Sequence, residues 1–184
     1  MPKVSVEHVE ARREQILGGA RRCFARWGYE GATVPRLERE IRLSHGAIFN
    51  YYRSKLDLFF ELASRDHARF DAIWEQQGFE ALARAIAEED PAWLGVYLEF
   101  HRLLRTDSAL RRRWHRRLAR DAKEELSWLG RERAAGRIRD DVPPDAIFRF
   151  LHTLLDGLVL ARTAGAELDV APLVALARAA IAPR

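Results

Sequence analysis

The stretch SHGAIFNYYRSK, residues 44–55, decides how this chain is read. Ser44 is a good helix N-cap, because its hydroxyl can accept from an orphan N–H of the first turn. Thr33 offers the same for a short helix over 34–41, whose first turn tolerates Pro35. Leu37 and Ile41 are four apart, as are Ile48 and Tyr52, so the two helices share an inner face. Only Arg42 and Leu43 separate them from one another's caps, and two short helices across so tight a turn form a helix-turn-helix. Ser44, His45, Gly46, Ala47 and Asn50 are left on the outer face or at its N-terminal end.

Helical periodicity continues on both sides of this stretch, and strand signals are almost absent. Ile16, Leu17, Ala20, Cys23, Phe24 and Trp27 mark a first amphipathic helix that ends at Gly28. A longer helix runs from Ser54 to about Gln77 with Gly78 as its stop, and a short one covers 80–89. Pro91 opens the next, and Thr106–Asp107–Ser108 breaks and recaps the chain before an Arg-rich helix to Gly136. Pro143–Pro144 starts a very apolar helix to about Ala164, and an Ala-rich one runs from Asp169 to Ile181. The expected fold is all-α, with an N-terminal three-helix helix-turn-helix domain over 1–53 and a six-helix domain over 54–184.

Charge supports a polyanionic partner for the first part. Residues 1–55 carry 11 Lys/Arg against 6 Asp/Glu, whereas the remainder carries 20 against 21. No run approaches ~18 apolar residues, so no membrane span is expected. The N-terminus has no apolar signal core, and the single Cys23 has no internal disulfide partner. A cytoplasmic protein is expected. There is no Ser–His–Asp arrangement, phosphate loop or paired acid motif, so neither an enzyme nor a cofactor is expected. His67 with Asp71 and His152 with Asp156 stand four apart, but two such pairs without a third ligand do not make a metal site.

Trp27–Gly28–Tyr29 with Gly31 and Thr33, followed by Ser44, Gly46, Ile48, Phe49, Tyr52, Lys55 and Leu58, resembles the TetR family of bacterial transcriptional repressors. The likeness spans the chain in length and helix number and is sharpest over 12–62. Within the family, GARRCFARWGYEGATV, GAIF, LRTD and LLDG are similar to aconitase repressors of actinobacteria. That subgroup implies a small carboxylate effector such as citrate. The family also implies a ligand-responsive homodimer on a palindromic operator in double-stranded DNA.

Chemistry then divides the opening helix. Asn50 can pair bidentately with adenine, His45 can meet a purine N7, and small Ala47 can approach a thymine methyl. Ser44 and Gly46 sit where recognition helices touch bases, and Phe49 occupies the motif's aromatic position. The resemblance assigns Thr33, Tyr51 and Lys55 to phosphates, which suits hydroxyls and an ammonium. Family members often carry a guanine-reaching polar side chain where this chain has Pro35, and Arg36 is the neighbouring substitute.

In the larger half, Trp93, Tyr97, Phe100, His101 and Arg105 recur on one helix, with Trp114 and Arg117 on the next and His152 and Asp156 beyond. Aromatic walls with a few charged groups describe an effector pocket, although the same aromatics would also serve as core. RRRWHRRLAR, residues 111–120, reads as a solvated, salt-bridged face. The helix over 145–164 is apolar on more than one side, so it needs a second partner. Phe148, Leu151, Leu155 and Leu158, with Leu173, Leu176, Ala177 and Ala180, are expected to form a four-helix dimer interface. The rival to a DNA-binding regulator is a helical protein-interaction scaffold, which leaves the basic bias of 1–55 unexplained.

Overall fold

Capping side chains set where most of the later helices begin. The computed structural model describes residues 6–184, and their side chains except those of 117–127. Its helices are α1 (Val6–Gly31), α2 (Val34–Ile41), α3 (His45–Phe49), α4 (Lys55–Glu88), α5 (Pro91–Thr106), α6 (Ser108–Ala134), α7 (Pro144–Thr163) and α8 (Val170–Ile181). Ser54 Oγ accepts from the Asp57 amide at 3.1 Å and donates to its carboxylate at 2.9 Å. Asp90, Asp107 and Asp169 accept from the amides of Ala92, Leu110 and Ala171. Each cap satisfies a helix-end donor that would otherwise face water or nothing. Inside α4, Gly78 at φ 80° divides the helix into two arms, the break expected after Gln77.

Two apolar clusters fill the molecule. The first joins Ile16, Phe24 and Leu37 to Ile48, Phe59, Trp93, Phe100 and Trp114, so α1–α3 share one core with the first arm of α4, with α5 and with the start of α6. It passes without interruption across residue 54, the boundary expected from sequence. The second packs Trp74, Leu82, Leu129, Ile147, Leu151, Leu155, Val174 and Ala177, drawn from α4, α6, α7 and α8.

Polar bonds fasten the helix-turn-helix region to the rest. Asp66 on α4 is only 6% exposed. Its carboxylate accepts from Arg21 at 2.9 Å, from Trp93 Nε1 at 2.6 Å and from the Tyr97 hydroxyl at 2.9 Å. Arg21 also donates to Glu89 at 2.8 Å, and Arg69 bonds the other Glu89 oxygen. Burial would raise the Glu89 carboxyl, but Arg69 and Arg21 outweigh it and hold it below its ordinary value. Burial and the neighbouring Asp66 push the Tyr97 phenol well above its usual range. A third tie runs from the Tyr29 amide to Glu99 of α5 at 2.8 Å, and within the larger half Arg113 of α6 bonds Asp57 at the start of α4 at 2.6 Å.

Two expectations are corrected here. Leu151, Leu155, Leu158 and Ala177 are buried in this chain's own core and present no free interface, while Phe148 packs against that core half-buried. Trp27, placed by spacing on the inner stripe of α1, is exposed instead, because Gly28 at φ 68° leaves helical geometry one residue later.

Candidate nucleic-acid interface

Five residues make up α3, and its position depends on the turn before it. Arg42 takes the left-handed conformation at φ 62°, and its amide and that of Leu43 both bond the Glu38 carbonyl. This compact turn delivers Ser44, whose Oγ accepts from the Ala47 amide at 3.4 Å. Ile48 is fully buried and anchors the inner side of α3. Ser44, His45, Gly46 and Asn50 are exposed on the other side, with Ala47 half-buried beside them. A Cβ at Gly46 would meet nothing within 4 Å, so an outside surface can come close to the backbone there. The His45 ring lies 4.5 Å from that of Phe49, and its Nδ1 is 3.6 Å from the Glu38 carboxylate. Those contacts orient the imidazole without covering it.

The residues assigned to phosphates are less uniform. Thr33 adopts the N-cap backbone of α2, yet its exposed hydroxyl makes no capping bond and stays open to an outside partner. Tyr51 rests half-buried on the first core and lines a surface hollow of about 430 Å³ together with Arg13, Arg53 and Arg113. Lys55 departs from the simple expectation of a solvated ammonium. Its Nζ donates to the Tyr29 carbonyl at 2.8 Å and the Glu30 carbonyl at 3.4 Å, over the Tyr29 ring. Burial lowers its pKa below the usual lysine value. Two of its three donors are spent inside the protein, which leaves one for a phosphate. Arg36 is likewise drawn inward, donating to the Gly31 carbonyl at 2.8 Å with its guanidinium 4.1 Å from the Trp27 ring.

The expected effector residues separate. Trp93, Tyr97, Phe100 and Trp114 do come together, packed in one core with Phe24, Tyr29 and Phe59. Alternating aromatics on one helix face serve either purpose, and only packing against α1 and α4 distinguishes them. His101 and His67 edge onto Trp114 at 6.2 and 5.7 Å, while Arg105 and Asp156 are exposed. The side chain of Arg117 lies outside the described residues. The His152 ring lies tilted beside that of Phe148 at 4.2 Å and that of Trp74 at 6.0 Å. The Nε1–H of Trp74, fully buried where α4, α6 and α7 meet, has no acceptor among the described residues. Spacing gives no hint of that orphan donor, since Trp74 simply continues an apolar stripe. Among the described residues no group of three or more His, Cys, Asp or Glu is arranged to hold a metal ion. No described helix is long and apolar enough to cross a membrane.

The outer side of α7 and α8 is apolar and uncovered. Phe150, Leu160, Leu173 and Leu176 are exposed, with Gly157 and Ala180 alongside. Their spacing puts Phe150, Gly157 and Leu160 on the side of α7 opposite Leu151, Leu155 and Leu158.

Comparison with known proteins gives a consistent picture. The family described as bacterial regulatory proteins, tetR family, matches residues 16–62. The HTH-type transcriptional repressor Rv1474c of Mycobacterium tuberculosis is 47% identical over 169 residues, 91% of this chain and 90% of that protein. The HTH-type transcriptional repressor AcnR of Corynebacterium diphtheriae is 43% identical, covering 92% of this chain and 90% of its own. Among solved structures, Salmonella enterica GusR superposes with a TM-score of 0.72 at 18% identity, over 89% of this chain and 90% of that one. The ketosteroid transcriptional regulator KstR2 of Mycobacterium tuberculosis gives 0.63 at 22% identity, over 94% and 96%. At those identities the structural matches speak for the fold alone.

Proposed function

The chain belongs to the TetR family of bacterial regulatory proteins and is a transcriptional repressor, and from that premise we propose how its residues are used. Two copies meet through the uncovered apolar side of α7 and α8 and present two α3 helices to the half-sites of a palindromic operator. The observation that carries this reading is the two-sided character of α3, with Ile48 fully buried and Ser44, His45, Gly46 and Asn50 exposed. Asn50 and His45 read base edges, and Thr33 and Tyr51 hold phosphates with the remaining donor of Lys55.

A small carboxylate of the citrate class is the effector. Support comes from the buried Trp74 N–H, which lacks an acceptor among the described residues, beside His152, together with the likeness to aconitase repressors. The ligand acts by population shift, favouring a conformation whose α3 separation misfits the operator.

The test is selection from random-sequence duplexes followed by binding at fixed salt. Asn50→Ala relaxes preference at one position per half-site and costs about 1–3 kcal/mol on the selected duplex. Tyr51→Phe weakens all sequences alike and leaves the salt dependence unchanged, because a neutral phenol releases no counterion. Failure of the wild-type chain to enrich any duplex, or a changed motif for Tyr51→Phe with none for Asn50→Ala, would refute the assignment.

A further inference from the structure

Trp27 stands out among the aromatic residues of α1. Its spacing belongs to the buried stripe, yet 42% of its surface is open to solvent. Its ring carries the guanidinium of Arg36 at 4.1 Å and that of Arg26 at 5.0 Å. The edge of the Arg36 fork is pinned as well, by Nη1 donating to the Gly31 carbonyl at 2.8 Å. A face contact and an edge contact together restrict a side chain that is otherwise rich in rotamers. One of the five N–H donors of the fork is engaged there, and four remain.

The surroundings suit an anion arriving from outside. Thr33, two residues beyond Gly31, exposes a hydroxyl that makes no capping bond. Pro35, between Thr33 and Arg36, has no N–H to offer, so Arg36 is the first strong donor of α2. Neutralising the carbonyl end of α1 does not require it, because Lys55 already binds the Tyr29 and Glu30 carbonyls. An exposed indole is also not needed to fill space. We propose that Trp27 is a positioning residue for DNA binding: it holds Arg36 as a preset guanidinium that, with the Thr33 hydroxyl, clamps one backbone phosphate of each half-site. This rests on the assignment of the helix-turn-helix to DNA made above.

The experiment is a double-mutant cycle on a duplex that the wild-type protein has drawn from a random-sequence pool. Trp27→Ala is expected to weaken binding about fivefold to thirtyfold, the change two partly exposed cation–π contacts would bring. Trp27→Phe keeps affinity near wild type because it retains a π face, whereas Trp27→Leu, with similar apolar bulk and no π face, behaves like Trp27→Ala. Arg36→Ala weakens binding and lowers the salt slope by roughly one per half-site. In the Arg36→Ala background, Trp27→Leu has no further effect. Full affinity for Trp27→Leu, or additive losses in the double variant, would overturn the inference while leaving the binding helix intact. Absence of DNA binding by the wild-type chain would overturn the underlying assignment and this inference with it.

Discussion

Replacing Leu176 and Leu155 by arginine, one at a time, separates the face proposed to join two copies from the core of one. Leu176 on α8 is 69% exposed, and Leu155 on α7 is 6% exposed. Fully burying a leucine stabilises by about 1.5–3 kcal/mol, so covering the open part of Leu176 is worth about 1–2 kcal/mol per protomer. A two-fold interface contains each residue twice, which makes about 2–4 kcal/mol per dimer. Leu176→Arg should therefore raise the dimer dissociation constant by about 30- to 700-fold from lost burial alone, before any repulsion between the new charges. The isolated fold should hardly notice, because the arginine sits where Leu176 already meets solvent. Leu155→Arg instead places an unpaired charge in the second core, at a cost of several kcal/mol against a total stability of about 5–15 kcal/mol. Sedimentation velocity with parallel thermal melts is the assay. The expected result is a folded, monomer-shifted Leu176→Arg that no longer retards operator DNA, and an unfolded or aggregating Leu155→Arg. A Leu176→Arg protein that stays dimeric at low micromolar concentration would refute the assigned interface.

Two further outcomes follow from buried polar groups. Asp66→Asn removes the charge that Arg21, Trp93 and Tyr97 share, and since Arg21 is partly exposed the expected cost is about 2–4 kcal/mol, or roughly 4–16 °C in Tm by scanning calorimetry; a Tm unchanged within a degree would show that the network holds nothing together. Titration calorimetry with citrate should give binding that Trp74→Phe weakens about tenfold or more, since one hydrogen bond to a charged carboxylate is lost while the ring remains, and equal affinity for both proteins would remove Trp74 from the effector site.

Much of the two-sided character of α3 was legible from residues alone. Ser44 as a cap, Leu37, Ile41 and Ile48 as inner contacts and Asn50 as an outer amide are local facts, set within one or two helical turns where side-chain direction follows spacing. Helix limits were legible for the same reason, since Ser54, Asp107 and Asp169 cap their own first turns. The expected interface on α7 illustrates the opposite case. A helix apolar all round states that two sides are covered, but not which side meets its own chain, and the stripe of Leu151, Leu155 and Leu158 proved to be the inner one.

By itself the sequence determined an all-helical chain with a helix-turn-helix near its start, because periodicity, caps and tight turns are properties of neighbouring residues. Tertiary structure alone decided that Trp93, Phe100 and Trp114 form a core with α1, that Lys55 and Arg36 turn toward the carbonyls of residues 29–31, and that Trp27 stays outside. Each of these depends on groups brought together from distant parts of the chain, or, for Trp27, on the direction the chain takes after Gly28. Whether an aromatic ring becomes wall or core, and whether a cation faces water or a carbonyl, is settled by which helices pack against it.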